Sequence, residues 1–379
     1  MKLIVKNKIL CMALLAIIVF SLLGFTACSG SDVASSFPVS SSTTEIESIP
    51  SLHPAGTYSL GLGAQTAVMA SSAVNEDVVK WPGVAEMFTT VCAVLLDSQG
   101  SIAEMRFDKE RIGADFTAEG MLSTDPGYEN HSYYDYDESS EPVLKSDFGY
   151  SWRAQIDAFC SWAVGRRPHD VLNMPLVAKD IPGSFVADEE LSAVVTIDVS
   201  DMLHALQNAL ANAVEMEAEN GVSRLGLTLM SQFSPLSADA MLDTDGEVIP
   251  GFVRFEISFG AMLLSNTGHI LSVRFDAMQY DITFDGVGGL YGTNDEPTLT
   301  KVQKGDSYGM RRISVIGKEW FEQIAAFEQW LVGKTPAEVV VLLEGSEQGH
   351  ASDVDVVASV TIDISDFVNI TSQNADRMR

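Results

Sequence analysis

Three cations within eight residues, Arg311, Arg312 and Lys318, follow Tyr308 just ahead of an apolar helical pattern that begins near Trp320. Positive charge gathered at a helix N-terminus suits an anionic group such as a phosphate. It equally suits pairing with nearby acids, because the chain sets 52 Asp+Glu against 23 Lys+Arg. Tyr308, Arg311, Arg312 and Lys318 are the candidate ligand-binding residues. Other chemistry is thinly supplied. The histidines, at 53, 131, 169, 204, 269 and 350, form no HxH or HExxH spacing, so no metal site is expected. Asp243-Thr244-Asp245-Gly246 resembles the middle of a calcium loop, but the first and twelfth places would be Met241 and Phe252, which offer no side-chain oxygen. It reads as a polar turn. The glycines at 286, 288, 289 and 292 lack the Lys-Ser/Thr pair that closes a phosphate loop. No Ser/His/Asp or Cys/His arrangement stands out, so no catalytic residue is assigned and no enzyme is expected.

The elements that must position these residues come in two copies. Ser59-Leu60-Gly61-Leu62 returns as Arg224-Leu225-Gly226-Leu227, and the strand-turn-strand stretch Ala93–Asp108 returns 168 residues later as Ala261–Asp276. The same offset aligns Trp152, Ile156, Phe159 and Trp162 with Trp320, Ile324, Phe327 and Trp330, one apolar face of a helix in each copy. Gly165 and Gly333 are placed to end those helices, and Pro168 and Pro336 to open a second short one, with Thr335-Pro336-x-Glu338 as a capping box. Ala193–Asp201 returns as Ala358–Asp366, read in each copy as a β-branched strand followed by a Ser-capped helix, the first running to about Asn220. The fold class is α+β: two tandem copies of a small antiparallel-sheet-plus-helices domain, residues 55–219 and 220–379. The copies differ at Tyr128–Glu141, an acidic aromatic stretch with no equal in the second copy, and at Arg311, Arg312 and Lys318, which have no cation opposite them in the first. The second copy is the expected seat of a working site.

Lys2, Lys6 and Lys8 precede an apolar run from Ile9 to Leu23 and then Phe25-Thr26-Ala27-Cys28. The run is short for a spanning helix and reads as a signal peptide over residues 1–27. The order resembles a bacterial lipoprotein signal. By that resemblance Cys28 is lipidated and tethers an extracytoplasmic protein to the membrane, with residues 28–54, rich in Ser and Thr, as a flexible stalk. A net charge of −29 argues against nucleic-acid partners. Cys92 and Cys160 remain in the folded part, read as two small buried hydrophobes, with a disulfide permitted by export.

With the turn Asp97-Ser98-Gln99-Gly100-Ser101-Ile102, its counterpart Ser265–Ile270, and the second copy's run from Tyr308-Gly309-Met310 through Lys318-Glu319-Trp320, the chain resembles extracytoplasmic FMN-binding-type domains of bacterial surface lipoproteins over residues 55–370. Flavinylated members of that family join FMN to a threonine in [S/T]-G-A-[S/T]. The nearest strings here, Gly63-Ala64-Gln65-Thr66 and Gly260-Ala261-Met262, do not match it, so no covalent flavin is expected. The lack of a catalytic constellation, with export, stalk and repetition, points to a non-catalytic module that binds a small molecule or a surface protein. Alternatively, the family resemblance implies an electron carrier with noncovalent FMN against Tyr308–Lys318.

Overall fold

The computed structural model describes residues 52–67, 73, 83–123, 133, 150–291, 298–343, 349–350 and 353–378. The signal peptide, Cys28, most of the stalk and, apart from Tyr133, the Tyr128–Glu141 stretch lie outside them. The first half contributes strands β1 (Gly56–Ala67), β2 (Gly83–Leu96), β3 (Ile102–Phe116) and β4 (Leu122–Ser123), helices α1 (Trp152–Ala163) and α2 (Pro168–Leu172), the short strands β5 (Leu176–Val177) and β6 (Phe185–Val186), helices α3 (Glu189–Ser192) and α4 (Ser200–Ala211), and strand β7 (Val214–Ala218). The second half follows with β8 (Gly226–Phe233), β9 (Met241–Leu242), β10 (Val248–Ile249), β11 (Gly251–Leu264), β12 (Ile270–Phe284), β13 (Leu290–Tyr291), α5 (Lys301–Lys304), α6 (Trp320–Leu331), α7 (Pro336–Val340), α8 (Val354–Val357) and α9 (Ser365–Arg377). The architecture is α+β with antiparallel sheets, in the orders β4-β3-β2-β1-β7 and β13-β12-β11-β8. Among the described residues no helix is long and apolar enough to cross a membrane.

The offset of 168 holds at the level of hydrogen-bond register. Gly83 faces Phe116 across β2 and β3, and Gly251 faces Phe284 across β11 and β12. Both hairpins carry a register break at the same place, Leu95/Leu96 and Leu263/Leu264. Their turns use Gly100 (φ 74°) and Gly268 (φ 78°), a backbone conformation that costs glycine little. Strand residues alternate between two faces. In β2, Ala85, Met87, Val91, Ala93 and Leu95 join Leu225, Leu227, Leu229, Val253, Phe255 and Phe259 of the second half in one buried cluster between the sheets. Cys92 and Val94 point the other way, into a cluster with α1 and α4, while Met262 and Leu264 do the same with α6 and α9. The result is four layers, helices–sheet–sheet–helices. The rings of Phe116 and Phe284, equivalent by the offset, stack at 4.7 Å where the sheets meet. Because each long strand is covered on both faces, strands such as Phe88–Leu96 read as nearly continuous apolar runs.

Two expectations are corrected. Ala193–Val199 and Ala358–Ile364 are irregular segments, not strands. Each is pinned by a buried glutamine: Gln155 Oε1 accepts from the backbone N–H and hydroxyl of Thr196 (2.8 and 3.1 Å), and Gln323 Oε1 does the same for Thr361 (2.8 and 3.0 Å). The helices that follow begin at Ser200 and Ser365 themselves, and the carboxylates of Asp198 and Asp363 accept those serines' N–H and O–H groups. The helix from Ser200 ends at Ala211 rather than near Asn220. The chain then returns as β7, which pairs antiparallel with β1 from Gly56 to Leu60 and covers an edge that would otherwise be open. Gly61 and Gly63 lie beneath α4, where a Cβ on either would run into the helix backbone at Ala209.

Candidate functional site

The segment marked by its cations is built around a carboxylate of its own. Thr300 and Gln303 form a capping box that starts α5, and two 3-10 turns, Gly305–Tyr308 and Met310–Arg312, meet at Gly309 (φ 80°). Glu319, 2% exposed, accepts the backbone N–H groups of Met310 (2.8 Å) and Arg311 (3.1 Å) and caps α6. The anion at that helix N-terminus is therefore internal. The Arg311 guanidinium lies 2.8 Å from Glu322 and 3.1 Å from Asp306. Hydrogen bonding from Arg311 holds the Glu322 carboxyl below its ordinary value. Tyr308 is half-buried, its hydroxyl 3.4 Å from Gln279 and its ring 5.5 Å from the Lys301 ammonium. Arg312 is exposed and Lys318 half-buried.

A cleft of about 340 Å³ opens elsewhere, where β3 and α1 of the first half meet the start of β8 and the end of α9 of the second. Its floor is apolar, with Phe107, Trp152, Ile156, Leu225 and Leu227 all buried. Its lining also carries Arg106, Arg153, Arg224 and Arg377, four of the chain's twelve arginines, against Glu104, Asp108 and Asp157. The cleft thus bears one net positive charge in a chain of −29.

The charges are ordered. Arg106 presents Nε and Nη2 to Glu104 Oε1 (3.3 and 3.2 Å), while Glu104 Oε2 accepts the Leu225 N–H (3.0 Å) and lies 3.2 Å from His53 Nε2. Burial works to raise the Glu104 pKa, but the His53 hydrogen bond, the Arg106 charge and the Leu225 N–H together hold it below the usual carboxylate value. Arg377 donates to the Leu227 carbonyl (2.9 Å) and approaches buried Asp108 at 3.5 Å. Arg224 is exposed at the mouth. Cys160 forms part of the inner wall. It and Cys92 are free and buried, and burial pushes both thiols up, which keeps them protonated and poor nucleophiles.

The equivalent place in the second half is filled. Position 160 corresponds to Glu328, 6% exposed, whose Oε2 lies 2.7 Å from Arg274 Nη1 and whose Oε1 accepts the Phe275 N–H at 2.6 Å. Burial pushes the Glu328 carboxyl up to about 7, against the opposing pull of Arg274 and the Phe275 N–H. Sequence reading placed the working site in the second half and treated Cys160 as packing. The signal for the cleft was the exchange of glutamate for cysteine at matched positions, together with Arg224 opening the returned Leu-Gly-Leu block.

No family model matches the chain, and no solved structure matches it. The chain is similar to a chlorophenol reductase of Desulfitobacterium hafniense, at 34% identity over 93 residues, which cover 21% of this chain and 28% of the relative's length.

Proposed function

We propose that this is a membrane-tethered extracytoplasmic lipoprotein, anchored through Cys28, whose two FMN-binding-like domains act as a non-catalytic binding module. Its ligand is a small anionic molecule held in the cleft at Arg106, Arg153, Arg224 and Arg377. The observation that carries this reading is the cleft itself: an apolar floor and a third of the chain's arginines gathered around it, in a protein otherwise strongly acidic. Such a combination suits recognition of a molecule with one charged end and an apolar body. The basic start, short apolar run and Cys28 support the tether.

The test is calorimetric titration of the purified protein with FMN and with a panel of small organic and inorganic anions, repeated on Arg224→Ala. Saturable binding of one of them, weakened about tenfold by loss of the Arg224 charge, is expected. Anions that bind neither form, up to millimolar concentration, would remove the reading.

A second reading, an electron carrier holding noncovalent FMN, is favoured by the stretch of likeness to a protein named as a reductase. It requires a flavin absorbance that stays with the protein after unbound FMN is removed.

A further inference from the structure

The two halves place the same arginine and the same backbone N–H at matched positions but complete them differently. In the second half, Arg274 Nη1 and the Phe275 N–H both end on the Glu328 carboxylate. In the first half, the counterparts are Arg106, Phe107 and Cys160. The cysteine side chain stops at Sγ, where glutamate continues through Cγ and Cδ to two oxygens. The Phe107 N–H, on a stretch of β3 that β4 leaves unpaired, points at that sulfur. Arg106 uses Nε and Nη2 on Glu104, and its Nη1 has no partner among the described residues. Arg274 shows the reverse pattern: its Nη1 is taken by Glu328 and its buried Nε has no hydrogen-bond partner, because Ser272 stands where Glu104 would be.

From this we infer that the cleft takes a small organic monocarboxylate, its carboxylate seated where Glu328 puts its own in the second half, between the Phe107 N–H and Arg106. The inference rests on the cleft being a ligand site and names the chemistry it recognises. One charge fits, because the surrounding groups sum to a single positive charge, and a dianion would face Glu104, Asp108 and Asp157 with too little to oppose them. An apolar body fits the walls at Phe107, Trp152 and Ile156. The volume of about 340 Å³ suits an acid of aromatic size. Paired donors of this kind, one charged and one a backbone N–H, favour a planar two-oxygen acceptor.

The test titrates the full chain at about pH 8, where free carboxylic acids are ionised, with benzoate, propionate, benzamide and inorganic phosphate. Three forms are compared: wild type, Cys160→Glu and Arg106→Gln. The expected result is saturable binding of benzoate to wild type, with benzamide weaker by about tenfold or more. Cys160→Glu should abolish benzoate binding by supplying the carboxylate from within, and should melt no lower than wild type. Arg106→Gln should weaken benzoate by about tenfold without loss of circular-dichroism signal, which keeps the test decisive if the glutamate variant does not fold. Benzoate binding that survives both substitutions unchanged overturns the assignment. If phosphate or FMN binds in an Arg224-dependent way while no monocarboxylate does, the carboxylate seat is wrong and the binding cleft stands. If no anion binds, both fall.

Discussion

The long hairpins of the two halves, β2–β3 and β11–β12, share a register to the residue, and the halves diverge in where they keep their charges. In the first half, Lys109 on β3 reaches Asp201 of α4 at 3.8 Å and sits 5.2 Å from the Phe88 ring. The matched positions in the second half are Ala277, Asp366 and Glu256, so β12 lacks the lysine of β3 and β11 carries an acid where β2 has a ring. The cation there comes from α5: Lys301 is drawn in beside Glu256, Asp276 and Asp366 and packs 5.4 Å from the Trp320 ring. Burial lowers the Lys301 pKa, and those acids pull against it. The exchange at 160 and 328 has the same character. A backbone that tolerates either solution leaves charge free to move between elements, and one half ends closed over its own carboxylate while the other stays open.

The largest effect should come from the place where the halves cannot be told apart. Phe116→Ala or Phe284→Ala removes one ring of the stack between the sheets, and each is expected to cost about 3–5 kcal/mol. Urea unfolding followed by tryptophan fluorescence should show one transition moving as a whole, since the sheets of both halves bury one shared core between them. Two separate transitions would break the comparison by making the halves independent.

A smaller effect distinguishes them. Glu328 keeps its proton up to about 7 in the folded chain, and Asp276 up to about 6, both through burial, whereas the same groups in water titrate near 4.5 and 3.8. Between those values the unfolded chain binds fewer protons than the folded one, so stability is greatest at low pH in this range and falls as pH rises from about 4.5 to about 7. Glu328→Gln should flatten that fall by on the order of 2 kcal/mol in denaturation curves at a series of pH values. Cys160→Ser in the first half should leave the slope as it was. An unchanged slope in Glu328→Gln would place the titration elsewhere.

Smaller again are the twin glutamines. Gln155→Ala and Gln323→Ala each strip two hydrogen bonds from a threonine, and each is expected to cost about 1–3 kcal/mol by the same denaturation assay. Near-equal losses sharpen the equivalence of the halves, and a loss confined to one would show that the other segment is held by its neighbours.

Local patterns were legible in the sequence because they are satisfied locally. The Gly100 and Gly268 turns, the capping box at Thr335 and the helix faces from Trp152 and Trp320 needed only spacing and residue type. Val194, Val195 and Ile197 look like strand, yet no strand among the described residues pairs with them, and buried Gln155 takes the Thr196 N–H instead. The stretch after Ala211 looked helical, and the unpaired edge of β1 made it a strand. The cleft was the least legible. Its walls come from both halves, with Leu225, Leu227 and Arg377 closing against Arg106 and Ile156, and that meeting depends on sheets packed face to face. Tyr308, Arg311, Arg312 and Lys318 stood out by composition, but the acids that engage Arg311 lie five residues before it and eleven after.

The position of β1 also bears on tension. It is hydrogen-bonded along Ser59–Ala67 to β2 and along Gly56–Leu60 to β7, and just ahead of it His53 bridges to Val222. A pull transmitted from the residues that precede it acts along the strand axis, so the ladders on both sides are loaded in shear and must slip together rather than unzip one rung at a time. A protein held at that end against flow would meet the load with one of its best-bonded strands.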